Sequence, residues 1–239
     1  MTTLRPELTA LPARIARLPL DPRGYPIPWF VGELNGVRDF RTMDATKWRR
    51  AVKERRCWIC GDPLGAYLTF VVGPMCGVNR TSSEPPNHHE CARWAVRNCP
   101  FLTRPQMVRR EDEATEQANA ENHGAGIGLP RNPGVTLLWT TRDYRLFNDG
   151  RGKPLIRLGD ARELEWFAEG RAATRAEVAA SVAGGVPSLM AMAEAQDQAE
   201  GAGAVKELTR MLDAYIGSYP PAPDAGTVYA ERDNTENAS

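Results

Sequence analysis

The cysteines of this chain are concentrated in one short stretch. All five lie between Cys57 and Cys99 of a 239-residue chain, and two of its three histidines lie in the same stretch. In a reducing compartment, clustered thiols more often bind a metal than pair as disulfides. The odd number of cysteines also argues against a secreted disulfide framework. This clustering constrains the fold strongly, because a shared metal ion would tie several segments to one point.

Four of these residues have the spacing of a tetrahedral zinc site. Cys57 and Cys60 are separated by two residues, so that a tight turn can point both thiolates at one ion. His88 and Cys91 have the same spacing, and in the first turn of a helix such residues share a face. Together they form a Cys3His set, the closed arrangement that structural zinc favours. We therefore predict that Zn²⁺ is the cofactor.

Other roles for the cysteines stay open at this stage. Cys76 lies between the two pairs and could replace His88 as the fourth ligand. Cys99 lies eight residues after Cys91, about 12 Å along a helix, so we assign it to the core. Alternatively, the cysteines could fill a core, form a disulfide, or hold an iron–sulfur cluster that also uses Cys76 or Cys99.

The stretch from 57 to 99 resembles a treble-clef zinc finger. In that family a knuckle supplies two ligands, a strand and hairpin follow, and the first turn of a helix supplies the other two. The resemblance rests on the two x-x spacings and on the apolar segment between them. The loop between the pairs is longer than such a finger needs, and this leaves the choice between His88 and Cys76 open.

A second resemblance covers roughly residues 23–217. The segments RGYPIPWFV, ERRCWICGDPLG, NPGVTLLW and EWFAEGRAATRAEV, together with the stretch from 71 to 102, look like those of an uncharacterised family encoded in bacterial and phage or prophage genomes. The resemblance implies a small soluble cellular or phage accessory protein. It carries no activity and no catalytic residue.

The local patterns predict an α+β fold: a small zinc-stabilised, treble-clef-like module with short antiparallel hairpins, followed by a hairpin and a helical C-terminal region. Composition changes divide the chain into an N-terminal arm (1–22) with one short helix, a zinc-binding α+β domain (23–108), a linker (109–134), a hairpin plus helical region (135–217) and a disordered tail (218–239).

Turn and cap residues place the first elements. Asn35-Gly36 predicts a hairpin, and Asp44 predicts the start of a helix over 45–56. A strand is expected over 66–73, a polar loop over 73–86, and a helix from about Asn87 to Asn98.

The C-terminal half reads as a strand over 134–147, a turn at 148–150 and a second strand over 153–159. Helices are then expected over 161–170 after Asp160, from a capping box of Thr174 and Glu177, from Pro187 or Ser188, and over 204–216.

Charge is distributed unevenly along the chain, although the net charge is zero. The first 110 residues are basic and the remainder is acidic. Basic residues beside Trp48 and Trp58 could neutralise phosphates while the indoles stack on bases, which favours DNA or RNA as a partner. The candidate contacts are Lys47, Arg49, Arg50, Lys53, Arg56 and Arg80. The alternative is that these charges pair with the acidic C-terminal half.

We therefore predict a non-enzymatic zinc-binding module that contacts nucleic acid. The first alternative is a protein-interaction adaptor that uses the helical C-terminal region. The second is a treble-clef metal-dependent nuclease using His89, for which a second catalytic histidine is missing; a structural His89 is the simpler interpretation. The chain has no run of 18 apolar residues and no secretory signal, so we expect a cytoplasmic protein without membrane contact.

Overall fold

The computed structural model describes residues 2–8, 11–105, 108, 132–148 and 154–221. Most of the predicted linker, the turn residues 149 and 150, and most of the predicted tail lie outside these ranges. Helices and antiparallel sheets alternate along the chain, which confirms the α+β class. The strands are β1 Val31–Leu34, β2 Val37–Met43, β3 Leu68–Val72, β4 Thr81–Ser82, β5 Thr136–Thr141, β6 Tyr144–Asn148, β7 Pro154–Leu158, β8 Glu163–Ala168 and β9 Arg171–Ala172. The helices are α1 Ala13–Ala16, α2 Ala45–Lys53, α3 Pro74–Val78, α4 His89–Asn98, α5 Pro100–Thr103, α6 Arg175–Glu200 and α7 Ala204–Ile216.

The first hairpin and the helix after it form as predicted. Asn35 and Gly36 both have positive φ, 52° and 76°, the backbone that a two-residue hairpin turn requires. The Asp44 carboxylate accepts hydrogen bonds from the main-chain N–H groups of Thr46 and Lys47 and so caps α2. This helix ends at Lys53, three residues earlier than expected, because the backbone of Arg55 is left-handed.

Two sheets organise the rest of the molecule. One has the strand order β3-β5-β8-β9 and the other the order β4-β7-β6, and all neighbours are antiparallel. In each sheet a strand that precedes the predicted linker pairs with a strand that follows it: β3 with β5, and β4 with β7. The division into domains at 109–134 stays a prediction.

The segment 73–86 is more ordered than the polar loop that we expected. Pro74 begins α3, where its missing N–H costs nothing, and Val78 is buried in the main core. After Arg80 the chain forms β4. Met75 and Cys76 pack against the same core as Val78, so the segment is part of the packed structure.

The helix predicted over 161–170 is wrong, because this segment is the strand β8. Trp166 contributes to the main core on one side of the sheet, while Phe167 packs with Ala92 and Val96 of α4 on the other. Since both faces are covered, the strand lacks the alternation of a half-exposed strand. Pairing with β5 along Thr136–Thr140 decides the outcome, and this pairing is remote in sequence.

The capping box of Thr174 and Glu177 is confirmed at the start of α6. The helix predicted to begin at Pro187 or Ser188 is instead the second half of α6, which continues through Pro187. Because Pro187 has no N–H, the helix lacks one i→i−4 hydrogen bond at this point.

Helix α6 is long and apolar enough to cross a membrane, judged by length and composition alone. No other helix within the described ranges meets this criterion. Of the most apolar 18-residue stretch of α6, 17% is buried in the protein.

Candidate metal centre

The first two candidate ligands lie in a tight turn. The N–H of Cys57 donates to the carbonyl of Asp62, and the N–H of Gly61 donates to the carbonyl of Cys57. Gly61 has a φ of 81°, and a Cβ at this position would lie 2.7 Å from Cγ of Trp29. Glycine is therefore required twice, for its backbone conformation and for the close approach of the indole.

The other two candidate ligands lie at the start of α4. His88 is the N-cap residue with extended backbone, and Cys91 is buried in the first turn. The two imidazole nitrogens have different surroundings. Nε2 lies 3.0 Å from the carbonyl oxygen of Pro63, whereas Nδ1 faces Sγ of Cys60 and Cys91. Since a carbonyl only accepts, Nε2 carries the proton and Nδ1 is left as the metal donor.

These four side chains have the separations of a zinc coordination shell. All four donor atoms lie within 4.8 Å of one another. Nδ1 of His88 is 3.4 Å from Sγ of Cys60 and 3.9 Å from Sγ of Cys91. A tetrahedron with ordinary Zn–S and Zn–N bond lengths has S···N edges of about 3.6 Å. Three thiols and one imidazole are also donors that suit zinc. The cluster is therefore able to hold a metal ion such as zinc.

Hydrogen bonding inside the cluster favours negative charge at one sulfur. Burial opposes ionisation of Cys57, but hydrogen bonds from Cys60, Cys91 and the N–H groups of Cys60 and His88 outweigh burial and lower its pKa to about 3. The same contacts raise the pKa of Cys91 above its usual range. The hydrogen bond with Cys60 raises the pKa of His88. The site thus stabilises a thiolate in a buried position, which is the form that binds metal.

Asn87 is a residue of this centre whose role the sequence did not reveal. It is 3% exposed, and its Oδ1 accepts a hydrogen bond of 3.1 Å from the N–H of Ile59, inside the turn. Its Nδ2 donates to the carbonyl of Thr69 on β3, and its main chain forms two further hydrogen bonds with Thr69. In the sequence, an asparagine at a helix start is typical of a cap, yet here the cap position belongs to His88.

The N-terminal arm covers the centre. Ile15 of α1 is fully buried and packs in one cluster with Cys57, Ile59 and Cys91. Around this contact, Arg14 forms ion pairs with Asp62 and Glu90, each at 3.0 Å, and Arg17 also pairs with Asp62. The apolar cover excludes water from two of the sulfurs.

The structure does not bring Cys76 to the other four residues. Cys76 packs against the main core, where burial raises the pKa of its thiol to about 11. A neutral thiol is a poor ligand and a poor nucleophile. Cys99, which we assigned to the core, is half-buried at the C-terminal end of α4.

His89 points away from the four candidate ligands. Its Nε2 lies 2.5 Å from a carboxylate oxygen of Glu165 on β8, and this hydrogen bond raises the pKa of His89. Arg93 approaches the other oxygen of Glu165 at 3.5 Å. His89, Glu163 and Glu165 have donor atoms within 4.8 Å of one another. His89 and Arg93 of α4 both contact the carboxylate of Glu165, so these ionic contacts connect α4 to β8 of the sheet.

The predicted nucleic-acid contacts occupy different environments. Lys47 donates to the carbonyl of Val31 and lies near Asp44, while Arg50 and Arg56 both pair with Glu54. Arg80 pairs with Asp160 and lies over the ring of Trp139, far along the chain from α2. Arg49 and Lys53 are exposed, and among the described residues they have no hydrogen-bond or ion-pair partner.

The two tryptophans proposed to stack on bases are in the interior. Trp58 is 1% exposed and stacks on Phe30 with ring centroids 5.1 Å apart, and Trp48 donates its indole N–H to the carbonyl of Ser83. Base stacking on Trp48 or Trp58 is therefore wrong as a prediction, since both rings are already covered by the protein.

Comparison of the chain with protein-family models, curated proteins and solved structures gives no match. The resemblances to the treble-clef fingers and to the phage and bacterial family stay predictions.

Proposed function

We propose that Cys57, Cys60, His88 and Cys91 bind one Zn²⁺ ion with a structural role. The observation that carries the proposal is the set of donor separations, which matches the edges of a tetrahedral Cys3His shell. All four positions are supplied by the protein, so no position is left for water or a substrate. The ion holds the turn at 57–61 against the start of α4 and, through Asn87, against β3.

Metal analysis of purified protein tests this proposal. We expect about one zinc ion per chain, lost in Cys57→Ser, Cys60→Ser, His88→Ala and Cys91→Ser, because a closed site needs all four donors. Cys76→Ser is the matched control and keeps its zinc. Substitution by Co²⁺ adds a spectroscopic readout of tetrahedral thiolate ligation. Full zinc retention in Cys91→Ser contradicts the proposal.

We propose further that this zinc-stabilised module contacts nucleic acid through the outer face of α2. Arg49 and Lys53 are one helical turn apart, exposed and without a carboxylate partner among the described residues. Of the other cations of this helix, Lys47 lies near Asp44 and Arg50 pairs with Glu54, and neither forms an ion pair with a described residue of the C-terminal half. The zinc turn follows directly and fixes the end of the segment. Contact of this kind is with phosphates and carries little sequence preference.

Binding of labelled duplex DNA, single-stranded DNA and RNA at several salt concentrations tests the second proposal. The double variant Arg49→Gln/Lys53→Gln should weaken binding and reduce the salt slope by about one unit for each phosphate that is no longer neutralised. Arg38→Gln/Lys206→Gln removes two exposed charges elsewhere and should leave binding unchanged. Equal weakening in both double variants, or no binding at low salt, contradicts binding through α2.

A second candidate function is protein interaction through α6. This helix is apolar and mostly uncovered, with Met192 53% exposed. Large exposed apolar surface is typical of interaction sites. Co-purification of one stoichiometric partner that is absent with Met192→Glu, while zinc content is unchanged, is the expected result. Retention of that partner by Met192→Glu contradicts binding through this face.

A further inference from the structure

A cavity of about 740 Å³ lies between the three-stranded sheet and α7, away from the candidate metal centre. Its volume is in the range of small-molecule binding sites. Apolar side chains form part of its wall, including Leu158, Leu164 and Met211. The polar part of the wall is dominated by guanidinium groups, which belong to Arg80, Arg145, Arg157 and Arg210.

Two of these arginines lie directly opposite each other. Arg145 of β6 and Arg157 of β7 are register partners on adjacent antiparallel strands, so their side chains share one face of the sheet. Like charges in this position repel each other and weaken the pairing of the strands. An anion between the two side chains would relieve this repulsion.

The sheet holds Arg157 in place. Its Nη1 donates to the carbonyl of Asn79 at 2.7 Å, and its guanidinium lies 5.1 Å from the centre of the Phe147 ring. Arg145 is exposed and, within the part of the chain that the structure describes, has no hydrogen-bond or ion-pair partner. One arginine is thus positioned in advance, and the other is free to close on a ligand.

The carboxylates that line the cavity belong to Asp143 and Asp160, and Asp160 pairs with Arg80 at 2.8 Å. Glu207, outside this lining, pairs with Arg210 at 2.6 Å; the hydrogen bond from Arg210 and, to a smaller extent, the charge of Arg157 lower its pKa. No carboxylate of the described residues forms an ion pair with Arg145 or Arg157. Arg145 and Arg157 thus bring two positive charges to one face, and only that of Arg157 is partly balanced, by Glu207.

Arg80 adds a planar surface to the same cavity. Its guanidinium lies over Trp139, 5.2 Å from the ring centre, and Asp160 fixes its orientation. Trp139 itself is buried, so a planar ring that enters the cavity meets the outer face of Arg80. Arginine planes stack well on flat, delocalised groups.

We infer that this cavity binds a small phosphorylated ligand with a planar ring, the chemical class of a mononucleotide. The phosphate lies between Arg145 and Arg157, where two guanidinium groups can each donate a pair of hydrogen bonds. The ring lies against Arg80 and the apolar wall. The site is separate from the α2 surface proposed for nucleic acid, and its volume of about 740 Å³ suits a small molecule.

Calorimetric titration of the full-length zinc-loaded protein, in a phosphate-free buffer of low ionic strength, tests the inference. The probes are AMP, adenosine, inorganic phosphate and a single-stranded oligonucleotide. AMP should bind, and adenosine and inorganic phosphate should each bind more weakly, because each supplies only one half of the interactions. Arg145→Gln and Arg157→Gln should each weaken AMP binding by about tenfold or more.

Two controls keep the result interpretable. Arg38→Gln removes an exposed arginine of β2 and should leave AMP binding unchanged. Arg157→Gln also removes the hydrogen bond to the carbonyl of Asn79. The side chain of Arg145 has no partner among the described residues, so Arg145→Gln is the decisive variant. Its thermal unfolding must match that of the unchanged protein. Failure of AMP to bind at millimolar concentration overturns the inference. The inference is also overturned if AMP and adenosine bind with equal affinity, or if AMP binding is unchanged in Arg145→Gln. The same holds if Arg145→Gln weakens binding of the oligonucleotide but not of AMP.

Discussion

At the scale of single residues, Asn87 shows how a buried amide fixes the turn that carries Cys57 and Cys60. It accepts from the N–H of Ile59 and donates to the carbonyl of Thr69, so one side chain connects the turn to β3. Residues that orient metal ligands from outside the coordination shell commonly change metal affinity by 10- to 100-fold when they are replaced. Asn87 stands immediately before the candidate ligand His88, and under the proposed zinc binding we expect it to have this role.

Replacement of Asn87 by Ala should therefore lower both stability and zinc affinity. The buried N–H of Ile59 loses its acceptor, which costs about 1–3 kcal/mol in the free energy of unfolding. Urea denaturation measures this destabilisation, and competition with a chelator measures zinc affinity. Asn98→Ala is the matched control, because Asn98 lies at the other end of α4 and its side chain, among the described residues, donates only to the carbonyl of Trp94. An Asn87→Ala protein with unchanged zinc affinity would contradict the positioning role.

The candidate site was more predictable than the residues around it. Cys57, Cys60, His88 and Cys91 could be selected because their x-x spacings reflect local geometry, a turn and one helical turn. Asn87, Ile15 and the pairing of His89 with Glu165 could not be selected, because each acts through a partner remote in sequence. Spacing alone could not decide between His88 and Cys76; the structure places only His88 beside the other three ligands.

At the scale of elements, the features that local chemistry determines were predicted and those that tertiary pairing determines were not. The hairpin at Asn35-Gly36 and the caps at Asp44 and Thr174 depend on neighbouring residues, and all three are present. The strand β8 and the continuous helix through Pro187 depend on what packs against them. The partner of β8 is β5, a strand more than twenty residues earlier, and the propensities of single residues contain no information about such a remote partner.

The N-terminus of α6 predicts an unusual pH dependence for one carboxylate. A hydrogen bond from Arg171, with further bonds from Thr174, lowers the pKa of Glu177 to about 2. Its folded pKa lies below the usual value, so its contribution to stability is complete above about pH 4.5 and declines as the pH falls toward 2. Titration of the Glu177 side-chain carbon by NMR should show a carboxylate still ionised at pH 4.

Removal of the arginine should reverse this effect. In Arg171→Gln the carboxylate keeps only the Thr174 hydrogen bonds, and its pKa should rise toward the ordinary value. Arg175→Gln serves as the control, since Arg175 bonds to the carbonyl of Pro220 and not to Glu177. A pKa for Glu177 that is the same in Arg171→Gln and in the unchanged protein would show that Arg171 does not hold the cap.

At the scale of the whole molecule, the strand pairings determine how far the metal centre can influence the fold. The turn with Cys57 and Cys60 connects through Asn87 to Thr69, and β3 pairs along its length with β5. Leu137 of β5 is fully buried opposite Val72 and Trp166. A continuous path of hydrogen bonds and packing therefore runs from the metal ligands to the strands after residue 134.

This continuity predicts a single unfolding transition for the centre and for the C-terminal half. In urea, the absorption of Co²⁺ bound at the cysteines should disappear at the same midpoint as the far-UV circular dichroism, to which α6 and α7 contribute most. Leu137 is in a different core cluster from Cys57 and Cys91, yet Leu137→Ala should lower both midpoints together, with a destabilisation of about 2–5 kcal/mol. Leu146→Ala, at a half-exposed position of β6, should shift neither midpoint appreciably. If the two halves fold independently at the predicted boundary of 109–134, Leu137→Ala will shift the dichroism alone, and the Co²⁺ signal will keep its midpoint.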